Sequence, residues 1–193
     1  MAVAGDTIEN PQSGERVVFK ITTEESEGRL LRFDFFLREG AKQPSLHRHM
    51  EQESRFKIIS GRMGAKLGGG KARIYEPGET LIVPCGTHHQ VWNADNGEVH
   101  ALVDFEPAGN FEQFLETAFG LMRDGKMHGH GAIPRPILHV ALLSSANKLY
   151  ISALPLFLQR PAIALMARLA RMRGYRLDYP EYNGGDGKAA PAA

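Results

Sequence analysis

Between residues 16 and 105 the apolar side chains come in short runs alternating with polar ones, and turn residues interrupt them at close intervals. Leu31, Phe33, Phe35 and Leu37 alternate with Arg32, Asp34 and Phe36, giving an extended chain one apolar face and one mostly polar face. Phe56, Ile58 and Ile59 lead to Ser60-Gly61, and Met63, Ala65 and Leu67 lead to Gly68-Gly69-Gly70. Arg73-Ile74-Tyr75 leads to Glu76-Pro77-Gly78, after which Leu81-Ile82-Val83 and residues 99–105 complete the series. Glycines at these breaks supply the positive φ that antiparallel neighbours need. With no useful helix inside it, this stretch is patterned for an all-β sandwich or barrel.

Past Pro107 the period changes. Phe111, Phe114, Leu115, Ala118, Phe119 and Met122 recur at spacings of three and four, predicting an amphipathic helix that ends near Gly125, with Asn110 as its N-cap. Residues 125–136 read as a loop, and helices are predicted over 137–147 and 161–173. Arg160, Arg168, Arg171 and Arg173 lie opposite Ile163, Leu165, Met166 and Leu169; packing on the barrel or a partner subunit is favoured over a membrane surface. After Tyr182 the chain is poor in apolar residues and is expected to be mobile.

The charge balance narrows the partners. Of 193 residues, 23 are Lys or Arg and 22 Asp or Glu, so the net charge of +1 gives no long-range attraction to polyanions, and nucleic acid is not an expected partner. A single cysteine, Cys85, excludes an internal disulfide framework and is expected to be a small buried side chain. Residues 1–10 do not read as a secretory signal, and the apolar segment 149–158 is too short to span a bilayer. The expectation is a soluble cytoplasmic protein with no membrane span.

The chemistry is concentrated in histidines. On an extended backbone, residues two apart face the same side, so His47 and His49 can aim at one point inside a barrel. A metal ion needs at least one more ligand, and His89, at the start of another strand, is the candidate; His88 then faces away. A second pair, His128-Gly129-His130, lies in a glycine-rich loop without a third ligand nearby and reads as solvated. Phe33, Phe35, Phe56 and Trp92 are candidates for aromatic pocket walls.

Residues 40–61 and 78–93 resemble the two conserved motifs of the cupin superfamily, written loosely as G, HxH, E, G and then G, PxG, H, N. The second match is complete in Gly78, Pro84, Gly86, His89 and Asn93. In the first, Ser54 stands where the family usually has a metal-binding glutamate, and Glu53 lies one residue earlier. Strand parity turns Glu53 outward unless a bulge re-aims it, in which case it would be a fourth ligand or general base.

This resemblance implies a mainly β fold, a cupin double-stranded β-helix or jelly-roll barrel, followed by a C-terminal α-helical extension. The expected boundaries are an N-terminal arm over 1–15, the barrel over 16–107, the helical extension over 108–178 and a mobile tail over 179–193. The site would hold a divalent metal ion (Fe, Mn, Ni or Zn) on His47, His49 and His89, with Glu53 as the additional candidate. The activity implied first is a dioxygenase-type oxidoreductase similar to quercetinase, acting on a small aromatic or enolisable substrate. The alternatives are a zinc-dependent cyclase or isomerase similar to those of aromatic polyketide pathways, and a non-catalytic small-molecule-binding barrel. A homodimer and a bacterial origin are also expected by resemblance.

Overall fold

The computed structural model describes residues 2–43, 46–128, 136–151 and 154–184. The β region comprises β1 (Thr7–Asn10), β2 (Glu15–Ile21), β3 (Leu31–Leu37), β4 (His47–His49), β5 (Glu53–Ser60), β6 (Met63–Leu67), β7 (Arg73–Tyr75), β8 (Thr80–Val83), β9 (His89–Asn93) and β10 (Val99–Glu106). Then follow α1 (Phe111–Arg123), α2 (Ile137–Asn147), β11 (Leu149–Ile151), α3 (Leu156–Met172) and a 3-10 turn (Pro180–Tyr182). One sheet runs β1-β2-β3-β10-β5-β8 and the other β11-β4-β9-β6-β7, with antiparallel pairing throughout.

The alternation seen in the sequence is the burial pattern. Leu31, Phe33, Phe35 and Leu37 of β3 face a core shared with Val17, Phe19, Phe56, Val103 and Phe105, while the residues between them lie nearer the surface. Two motif glycines turn the chain where a side chain would be strained: Gly78 has φ +90° and Gly86 φ +76°. The motif asparagine has a turn role of its own. Asn93 Nδ2 donates to the carbonyls of Leu37 (2.9 Å) and Gly97 (2.6 Å), and its Oδ1 accepts the Asp95 amide (2.7 Å).

Several boundaries differ from expectation. The N-terminal arm supplies a strand: Thr7–Asn10 pairs with β2 from Thr7↔Val18 to Asn10↔Glu15 and forms the edge of the larger sheet. Helix α1 is where it was predicted, but the Asn110 side chain makes no capping hydrogen bond. Its backbone (φ −100°, ψ 18°) is outside the extended region a capping side chain needs. Helix α3 begins at Leu156, five residues before the predicted Pro161, which instead lies inside the helix. Pro155, extended at φ −61° and ψ 142°, marks the true start.

Cys85 is exposed rather than buried, because it sits in the Pro84-Cys85-Gly86 turn after β8. No described helix is long and apolar enough to cross a membrane.

The expected tail starts later than residue 179. Tyr182 is buried, its hydroxyl donates to Asp124 Oδ2 (2.7 Å) and accepts from Lys126 Nζ (2.9 Å), and its ring lies on Gly120 of α1. Residues 185–193 of that expectation lie outside the described residues. A Cβ at position 120 would stand 2.3 Å from the Tyr182 ring, so Gly120→Ala is expected to displace the turn. The cost is about 1–3 kcal/mol, as for other overpacked sites, and urea unfolding measures it. An unchanged midpoint would show that Tyr182 adds nothing to stability.

Candidate metal centre

Strand β4 is only three residues long, and both its ends are imidazoles. On one side it pairs with β9, placing His47 directly opposite His89; on the other it pairs with β11, which sets Ile151 against His47 and Leu149 against His49. The alternation of the extended chain puts both β4 histidines on the same face, and the antiparallel register brings the third alongside. Ring centroids are 5.1 Å apart for His47 and His49, 4.4 Å for His47 and His89, and 5.3 Å for His49 and His89. One ligand nitrogen from each lies within 4.8 Å of the others. Nitrogens sharing an ion at ~2.1 Å in a tetrahedral shell are about 3.4 Å apart, so the rings need close by at most about 1.4 Å.

The electrostatics favour ligation. Burial, reinforced by His47 and His89, holds the His49 imidazole well below its usual pKa. Burial, followed by the influence of His47, pushes His89 down to about 3. Both rings are therefore neutral near pH 7 and keep a lone pair to donate. His89 Nδ1 lies 3.2 Å from the Thr87 carbonyl, an arrangement that leaves Nε2 as the ligating atom when Nδ1 carries the proton. Among the described residues His49 Nδ1 is buried with no hydrogen-bond partner, a cost that ligation of an ion at that atom would relieve. The residues present thus fit a divalent cation.

The rings are also held by aromatic packing. His49 meets Phe105 edge-on at 5.3 Å and Phe111 at 5.0 Å, and Phe105 and Phe111 stack at 4.1 Å. The three histidines open onto a cavity of about 190 Å³, walled by Phe33, Phe35, Phe56, Phe105, Phe111 and Phe114. Helix α1 and β11 therefore help to build the pocket, a role for the extension that its amphipathic pattern does not distinguish from ordinary packing. Trp92, a candidate wall, is not among the lining residues. It alternates with the inward-facing Val91 and Asn93 and covers Gly64 on the outside of the sheet.

Glu53 is not brought to the histidines. Its carboxylate pairs with Arg55 at 2.7 Å. The β5–β10 register runs unbroken from Glu53↔Glu106 to Ile58↔Ala101, so no bulge turns residue 53 inward, and Ser54 is the buried residue. Among the described residues Ser54 Oγ has no hydrogen-bond partner. A carboxyl the sequence reading did not single out does reach the cavity. Glu15 on β2 faces inward, and burial raises its pKa against the opposing hydrogen bonds of Ser13 and Asn10. The signal was available in its alternation with Val17 and Phe19. Of the second histidine pair, His128 is exposed, and His130 lies outside the described residues.

Residues 33–105 match the family described as the cupin domain. The chain carries a cupin domain. Two curated proteins align with parts of it. "Probable oxidoreductase virH" of Hypocrea virens is 31% identical over 97 residues, spanning 47% of this chain and 44% of that protein. "Oxidoreductase iacF" of Pestalotiopsis fici is 36% identical over 56 residues, spanning 29% and 28%. The chain therefore spans less than half the length of either relative, and both are fungal, which gives the expected bacterial origin no support. Among solved structures, a predicted oxalate decarboxylase from Thermotoga maritima aligns over 55% of this chain and 99% of its own, at 19% identity and a TM-score of 0.48.

Ser54→Glu tests what the missing carboxylate changes in the cupin site. Without metal, the buried carboxyl is expected to lower stability by about 1–3 kcal/mol. Added Zn(II) should restore the unfolding midpoint and bind about tenfold more tightly than to the parent, read by thermal shift and calorimetry. If Zn(II) gives no recovery, residue 54 does not face the histidines.

Proposed function

We propose that this chain is a metal-dependent cupin enzyme acting on a small, aromatic or enolisable organic substrate, with a dioxygenase-type oxidation as its reaction. The observation that carries this reading is the placement of three histidines, two of them held neutral by burial, at one end of an apolar, phenylalanine-walled cavity. His47, His49 and His89 would hold the ion, Fe(II), Mn(II) or Ni(II), leaving coordination positions for substrate. When bound, it supplies Lewis acidity to a substrate oxygen and redox capacity toward O₂.

The chain's own residues do the rest. Phe105 and Phe111 fix the His49 ring and, with Phe33, Phe35 and Phe56, flank a planar substrate and exclude water. Glu15, whose carboxyl burial pushes up from its usual pKa, is placed to hydrogen-bond or exchange a proton with a substrate oxygen reaching that part of the cavity. The oxidoreductase names of the two fungal relatives support the reaction class.

A redox-neutral Zn(II) cyclase or isomerase is the second reading, and Ser54 favours it. A site without the carboxylate leaves more positive charge on the ion and makes it a stronger Lewis acid. Metal analysis of the purified protein, then incubation with a flavonol and with an enolisable aromatic 1,3-diketone in air and under argon, separates the readings. Oxygen uptake with product supports the oxidation, product under argon supports the cyclase, and binding without turnover in either gas overturns both.

A further inference from the structure

Helix α3 packs on α2 through its small residues. Ala167 and Ala170 are buried against Leu142, with Leu138, Tyr175 and Leu177 around them. The opposite face is open and apolar: Leu158 is 51% exposed, Leu165 61%, Leu169 38% and Met172 76%, and Phe157 at the helix start is 75% exposed. At about 100° per residue, Leu158, Leu165, Leu169 and Met172 fall within a sector of about 60°, with Arg168 and Arg173 bordering it on opposite sides.

The stretch of sequence that carries this stripe is one-sided in charge, although Lys126 pairs with Asp124 and Lys148 with Glu51. From Gly125 to Leu177 the chain has eight Lys or Arg and no Asp or Glu, leaving 15 and 22 for the remainder, so the overall +1 divides into +8 here and −7 elsewhere. Near neutrality of the whole chain therefore conceals a cationic segment, and α3 is its apolar-faced part.

We propose that α3 is a docking helix for an anionic lipid surface, lying in the interface with Leu158, Leu165, Leu169 and Met172 inserted and its arginines among the headgroups. The apolar stripe gains by leaving water, and the flanking guanidiniums gain from acidic headgroups. A second copy of the chain fits less well, because symmetric pairing through the stripe would set one arginine row against the other with no acid in the segment to compensate. A polyanion such as nucleic acid matches the charge but leaves the four apolar side chains wet. The barrel and its cavity need take no part, so the inference stands apart from the proposed reaction.

Sedimentation of the full chain with vesicles of phosphatidylcholine alone, or phosphatidylcholine with one quarter phosphatidylglycerol, tests it. The protein is expected to bind the phosphatidylglycerol vesicles and to be released by high salt. Leu165→Glu, and separately Arg168→Glu with Arg171→Glu, should weaken binding about tenfold or more, with circular dichroism unchanged because these side chains are exposed. Ile82→Glu, at an exposed apolar site on β8, should bind as the parent does. Absence of binding, equal binding to both vesicles, or α3 variants that bind like the parent would overturn the proposal. So would a dimer that Leu165→Glu converts to monomer without any vesicle binding by the parent.

Discussion

Replacing His89 by alanine is expected to lower the affinity for Zn(II) by more than about 100-fold while the chain stays folded. His89 stands opposite His47 across the β4–β9 pairing and is 1% exposed, so nothing else in the register can replace its nitrogen. Three ligands are already few for a divalent ion, and removing one leaves, among the described residues, the two on β4. The change also removes a close neighbour of His49 and His47, so it relieves crowding among imidazoles as it empties the site. Calorimetric titration of metal-free protein measures the loss, and fluorescence of the single tryptophan, Trp92 on the same strand, reports whether β9 is intact. His128→Ala, at an exposed position, should bind as the parent does. Parent-like affinity in His89→Ala would mean the three rings do not share an ion.

Tyr150→Pro is expected to cost about 3–5 kcal/mol and to weaken metal binding about tenfold, although Tyr150 does not line the cavity. The Met50 amide donates to the Lys148 carbonyl (3.3 Å), which makes that pair hydrogen-bonded in the β4–β11 ladder. By antiparallel alternation Tyr150↔Arg48 is hydrogen-bonded as well, and proline removes its donor. Loss of the buried ring adds to this. Strand β4 would then be fixed by β9 alone, and His47 and His49 would lose one of the two backbone pairings that hold them on a common face. Tyr150→Phe, which retains the amide and most of the ring, should approach the parent in urea unfolding. Unaltered metal affinity in a folded Tyr150→Pro protein would show that β9 suffices to align the histidines.

The barrel and the histidine cluster were legible because both follow from a period of two. Alternation in residues 31–37 marks the buried face, and the same alternation places His47 with His49 and turns Glu53 away from Ser54. Applied to β9, it also puts Trp92 outside, since His89, Val91 and Asn93 are the inward residues; the aromatic character of the side chain masked a parity that was present. Helix boundaries at α1 and α2 followed from spacing and punctuation. Pro161 misled the reading of α3, because proline more often opens a helix than sits inside one.

Strand β11 had almost no local signal. Three residues follow α2 after a single left-handed residue, Lys148 at φ 45°, and their strand character comes from β4, far away in sequence. Glu15 was missed for a related reason, since a carboxyl at an inward position contradicts the pattern that identifies inward positions.

The β4–β11 pairing has a consequence for synthesis. The two strands lie roughly a hundred residues apart, a long-range closure of the kind that slows folding. A ribosome has released both ligand-bearing strands well before it supplies the segment that flanks β4 on its far side. Ion capture by an incomplete nascent chain should accordingly be weak, and tight capture would signal that translation has passed residue 151.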